Sequence, residues 1–62
     1  MILKKLREEE GLKQKELAEI LNVSQNAIYQ WEHEKCEPDI ATLIKIANYF
    51  DVSLDKLCER SY

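Results

Sequence analysis

Apolar positions recur at three- and four-residue intervals along the whole chain and nowhere alternate as in a half-buried strand, which predicts helices throughout. Ile2, Leu3 and Leu6 give an amphipathic helix over residues 2–10, and Gly11 supplies the left-handed residue that commonly ends one. Leu12 leads into a second helix at about 14–21, with Leu17, Ala18 and Leu21 inward and Glu16 in its first turn. Asn22-Val23-Ser24 forms the next break. Asn tolerates a left-handed backbone and Ser is a good N-cap, so this is a tight turn between helices. A polar connection, Glu34-Lys35-Cys36-Glu37-Pro38, follows the third helix. Asp39 caps a fourth helix, whose buried stripe is Ile40, Leu43, Ile44, Ala47 and Phe50 with Ile46 on the flank. A fifth begins after Ser53, another N-cap, and carries Leu54, Leu57 and Cys58.

The third helix separates two kinds of side chain. At about 100° per residue, Gln25, Asn26, Tyr29, Gln30 and His33 fall within an arc of roughly 140°, while Ala27, Ile28 and Trp31 lie opposite. One face packs, with Trp31 in the core. The other presents side-chain amides where most surface helices carry charge. Gln and Asn offer a donor and an acceptor together, which matches the N6 and N7 edge of adenine in the DNA major groove. Two helices joined by a short turn, the second opening with exposed amides, form the helix-turn-helix arrangement.

Composition narrows the class. A chain of 62 residues reads as one domain, 1–62, near the lower size limit for a self-supporting hydrophobic core. No apolar run approaches the roughly 20 residues of a membrane span, and the start lacks a signal-peptide core, so a cytoplasmic location is expected. Cys36 and Cys58 are then read as free thiols of a reducing compartment. His33, Cys36 and Cys58 offer three metal ligands at most, where a structural zinc site takes four. With no nucleophile beside the sole His and no Gly-rich phosphate loop, neither catalysis, a cofactor nor a small-molecule substrate is expected. Nine Lys and Arg against twelve Asp and Glu leave a net charge of -3, which opposes phosphate binding. The cations are nonetheless concentrated early, at Lys4, Lys5, Arg7, Lys13, Lys15 and Lys35. Lys4, Lys5 and Lys15 read as solvated. Lys13 occupies an N-cap, where Ser, Thr or Asn would be better by roughly 1 kcal/mol and a cation is unfavourable, which points to a phosphate contact.

The segments Leu12-Lys13-Gln14-Lys15-Glu16-Leu17-Ala18, Leu21-Asn22-Val23-Ser24, Ile28, Trp31-Glu32, Lys35, Glu37-Pro38 and Phe50-Asp51-Val52-Ser53-Leu54-Asp55-Lys56-Leu57 closely resemble the phage repressor and Cro-type (XRE) helix-turn-helix family. The resemblance implies an all-α, compact five-helix lambda-repressor-like DNA-binding domain with helices 2 and 3 as the helix-turn-helix. It also implies a repressor acting as a homodimer on an inverted-repeat operator in double-stranded DNA. Carried over by position, Gln25, Asn26 and Gln30, with Tyr29 beside them, are the base-contacting residues. Lys13, Gln14, Ser24, His33 and Lys35 are the phosphate-contacting ones, and Gln14 also braces Gln25. Arg7 and Glu32 correspond to the family's internal ion pair. His33-Glu34 stands where the family often has Asn-Gly, so either Glu34 takes a left-handed backbone or the third helix ends differently. The fifth helix and tail, with Val52, Leu54, Cys58 and Tyr62, are the candidate dimer surface. The alternative is a protein-interaction module, such as an antitoxin or anti-repressor, on the same fold.

Overall fold

Four helices of this protein end in the same way, and those endings set the path of the chain. The computed structural model describes residues 1–59 and contains α1 (Leu3–Glu9), α2 (Gln14–Leu21), α3 (Gln25–Glu32), α4 (Ile40–Phe50) and α5 (Leu54–Leu57). After α1, α2, α3 and α4 the chain turns through a left-handed residue: Gly11, Asn22, Glu34 and Asp51, with φ of 70°, 59°, 56° and 56°. Each turn closes with a paired backbone motif. The N–H after the left-handed residue reaches back to Arg7, Ala18, Gln30 and Ala47 O, at 2.9 to 3.1 Å. These bonds satisfy carbonyls that a helix end leaves without partners. In three of the four, the following residue is apolar, and Leu12, Val23 and Val52 pack against the core. Lys35 takes that place after α3.

Only one of the four left-handed residues is glycine. Asn22 and Asp51 carry short polar side chains that tolerate the conformation, whereas Glu34 is strained by about 1 kcal/mol. Of the two outcomes open for His33-Glu34, the left-handed one is found. Helix starts are conventional, with Ser24, Asp39 and Ser53 side chains accepting from the backbone N–H of Ala27, Thr42 and Lys56 at 3.0 to 3.1 Å. The bond from Thr42 holds the Asp39 carboxyl below the usual carboxylate range. Lys13 cannot accept such a bond. Its own N–H instead donates to Glu16 Oε1 at 2.8 Å, half of a capping box, which compensates a poor N-cap residue.

Leu3, Leu17, Leu21, Ile28, Ile46 and Leu57 are fully buried, with Trp31, Ala18 and Ala47 closing the core around them. The α4 stripe differs from expectation. Ile40 and Ile44 are 71% and 44% exposed, while Ile46 is completely buried. The inward row is Leu43, Ile46, Ala47 and Phe50, spaced for one helical face. Apolar residues surround most of α4, so periodicity left its rotation open and packing on α2 and α5 selected it. Lys45 contributes to that choice, because its Nζ donates to Leu21 O at 2.8 Å and satisfies a carbonyl at the end of α2. Ile2 N–H donates to Leu57 O at 3.1 Å and joins the start of the chain to α5.

Candidate nucleic-acid interface

The outward side of α3 is held in place by a polar network on its inward edge. Arg7 Nε donates to Glu32 Oε2 at 2.6 Å and Nη2 to Oε1 at 3.2 Å, with the Glu32 side chain 1% exposed. Arg7 Nη1 donates to Leu12 O at 2.7 Å, and Gln14 Nε2 donates to Glu32 Oε1 at 3.0 Å. One carboxylate therefore joins α1, the first residue of α2 and the last of α3, and Arg7 ties in the loop before α2. The hydrogen bond Arg7 donates to Glu32 raises the pKa of the guanidinium above its ordinary value against the opposing effect of burial. The fork geometry resists rotation about any single bond.

Gln14 partners Glu32, not Gln25 as the resemblance implied. Glu32 offers a charged acceptor on a nearly buried side chain, a stronger attraction than a neutral amide at the exposed Gln25. Gln14 nevertheless lines one open depression with Gln25, Asn26 and Tyr29. Gln25 and Asn26 are exposed, Tyr29 is 39% exposed, and Gln30 is half-buried. The Tyr29 and His33 rings lie 4.1 Å apart at 37°, and Lys35 Nζ sits 5.8 Å from the Tyr29 centroid. The fold thus gathers Tyr29, His33 and Lys35 into one cluster beside the depression. The cation–π contact explains how Lys35, lacking the apolar anchor of the other turns, is positioned.

Lys13 is exposed at the entrance to α2, whose first-turn N–H groups have no intrahelical carbonyl to bond. This is a favourable end for an anion, partly countered by Glu16 in the same turn. Ser24 spends an oxygen lone pair on Ala27 N–H and keeps its hydroxyl hydrogen for another acceptor. Glu34 and Glu37 flank Lys35 with negative charge, which lowers the positive potential around it. Two partners escaped the sequence analysis. Cys36 Sγ donates to Gln30 Oε1 at 3.2 Å, and Lys45 reaches Leu21. Neither follows from periodicity, since both contacts join separate segments. Of the candidate dimer residues, Leu54 and Cys58 are exposed, Val52 packs against the core, and Tyr62 lies outside the described residues.

Helices α2 and α3, the Asn22–Ser24 turn between them, and the braced polar face define a helix-turn-helix module. The helix-turn-helix family matches residues 3–57, and the chain belongs to that family. It is 42% identical over 55 residues to the HTH-type transcriptional regulator ImmR of Bacillus subtilis, covering 89% of this chain and 43% of that protein. It is 44% identical over 55 residues to the uncharacterized HTH-type transcriptional regulator YqaE of the same organism, covering 89% of this chain and 47% of that one. The HTH-type transcriptional activator BcrR of Enterococcus faecalis is 42% identical over 55 residues, or 89% of this chain and 27% of its own length. The chain spans less than half of each of these relatives. No solved structure gives a significant match. Among the described residues, no helix is long and apolar enough to cross a membrane.

Proposed function

We propose that this chain is a DNA-binding domain, 1–62, of a transcriptional regulator rather than an enzyme, and that it represses by occupying an operator in the cytoplasm. The observation that carries the proposal is the outward face of α3, where Gln25, Asn26 and Tyr29 share an open depression with Gln14 while Arg7 and Glu32 hold the helix in place. In this function Gln25, Asn26, Gln30 and Tyr29 meet base edges in the major groove. Lys13, Gln14, Ser24, His33 and Lys35 meet the phosphates on either side. One short helix reads too few base pairs to find a site in a genome, so two copies act together on an inverted repeat. Ile40 and Ile44, one turn apart on α4 and exposed, offer the homodimer an apolar contact.

Site selection from a randomised duplex pool at near-physiological salt tests this function. Enrichment of an inverted repeat, with half-site centres about 34 Å apart, is the expected result. On the selected duplex, Gln25→Ala lowers discrimination by about 1 to 3 kcal/mol at one base pair. Lys13→Ala weakens all duplexes alike and lowers the salt slope by about 1. Identical losses on every duplex would refute the division into readers and anchors. The net charge of -3 and the exposed isoleucines favour a second reading, a protein-interaction module such as an antitoxin or anti-repressor. It becomes the better one if no duplex is enriched even at low salt.

A further inference from the structure

Cys36 lies in the connection after α3 and Cys58 caps the end of α5, yet both side chains line one cavity of about 240 Å³, together with Trp31, Glu34 and Glu37. Both cysteines are exposed and free. The Cys36 thiol also has a partner on the reading helix, donating to Gln30 Oε1 at 3.2 Å. DNA reading has no use for Cys58, and only the fold sets both cysteines on the wall of one cavity. Both thiols are therefore open to the same small oxidant from one void.

We propose that Cys36 and Cys58 form a dithiol site that hydrogen peroxide closes into an intramolecular disulfide, and that closure takes the Cys36 thiol off Gln30. In the first step one cysteine sulfur attacks a peroxide oxygen and breaks the O–O bond, giving a sulfenic acid and water. In the second, the other thiol attacks the sulfenic sulfur, the S–S bond forms, and a second water leaves. Two thiol hydrogens are lost, the sulfurs are oxidised and the peroxide oxygens are reduced. Glu34 and Glu37 on the cavity wall repel anions, which favours a small neutral peroxide over a negatively charged disulfide as oxidant. A disulfide requires close Cα spacing, so the bridge needs the connection between α3 and α4 to close on the end of α5 across the cavity. The bridged Cys36 has no S–H to donate, and the Gln30 carbonyl loses that partner. On the DNA reading proposed above, this frees the Gln30 amide to reorient and alters base preference where Gln30 contacts the groove.

The test uses the full chain at low concentration, without DNA, so its failure is separate from failure of the DNA reading. Peroxide treatment should yield a monomer lighter by two hydrogens, with a peptide containing Cys36 linked to one containing Cys58. The product should be absent from Cys36→Ser and from Cys58→Ser. Trp31 emission should change with the bridge, since the indole lines the same cavity. The side-chain amide NMR resonances of Gln30 should move when the wild type is oxidised and stay in place when Cys36→Ser is treated with peroxide. Oxygen adducts without a bridge, or bridges only between two copies, would overturn the site. A bridge that leaves the Gln30 resonances unmoved would overturn the coupling to the reading helix.

Discussion

Helices α3 and α4 both bury an apolar stripe, but α3 turns amides outward whereas α4 turns isoleucines outward. On α3, Ile28 and Trp31 face the core and Gln25, Asn26 and Tyr29 face solvent. On α4, Ile46 and Ala47 face the core, and Ile40 and Ile44 face solvent. The inward residues could be exchanged between helices with little meaning beyond packing. The outward ones suit different partners, since amides carry directional donors and acceptors while isoleucines reward any apolar neighbour. The two helices are also held differently. A carboxylate accepting three hydrogen bonds positions α3, and packing with one lysine bond positions α4.

The sharpest way to break this contrast is to cut the α3 network. Arg7→Ala or Glu32→Ala strands a nearly buried charge and should cost about 3 to 5 kcal/mol in urea denaturation. Replacing both with Met should recover much of the loss, because no unpaired charge then remains. A loss from the double substitution as large as from either single one would show that the ion pair itself stabilises the fold.

On α4 the contrast lies within one helix. Ile46→Ala should lower stability by about 2 to 5 kcal/mol, whereas Ile40→Ala should stay within about 0.5 kcal/mol. Equal losses in thermal unfolding would mean that α4 is rotated from the orientation described. Glu34→Gly relieves the left-handed strain after α3 at the expense of an exposed ion pair between Glu34 and the Met1 ammonium, 3.1 Å apart. Because exposed pairs contribute little, a net gain of about 1 kcal/mol or less is expected from denaturation curves.

The smallest effect concerns pH. Asp39 has its folded pKa lowered by the Thr42 bond, so its contribution is complete above the unfolded carboxylate pKa and is lost as pH falls through the folded value. Asp39→Asn keeps a capping acceptor without the titration. Its stability should decline less steeply on acidification than that of the wild type, measured by unfolding across the acid range.

Much of the fold could be read along the chain because it is written in local chemistry. Gly11 and Asn22 mark helix ends, Ser24, Asp39 and Ser53 mark starts, and each acts within one turn of its own position. Asp51 followed by Val52 repeats the pattern of Gly11-Leu12 and Asn22-Val23, a signal the sequence analysis did not use. The exposed α3 face was equally legible, because Ile28 and Trp31 left one way for that helix to turn.

Local order was therefore encoded residue by residue: five helices, their caps, the tight turn and the two faces of α3. The tertiary structure decided which isoleucines of α4 are buried, which acceptor Gln14 takes, and that Cys36 and Cys58 share a cavity. Periodicity specifies an inward side only when one side of a helix is apolar, and α4 is apolar on more than one. Contacts between segments far apart in sequence depend on how helices rotate and pack, and that rotation is settled by the core as a whole.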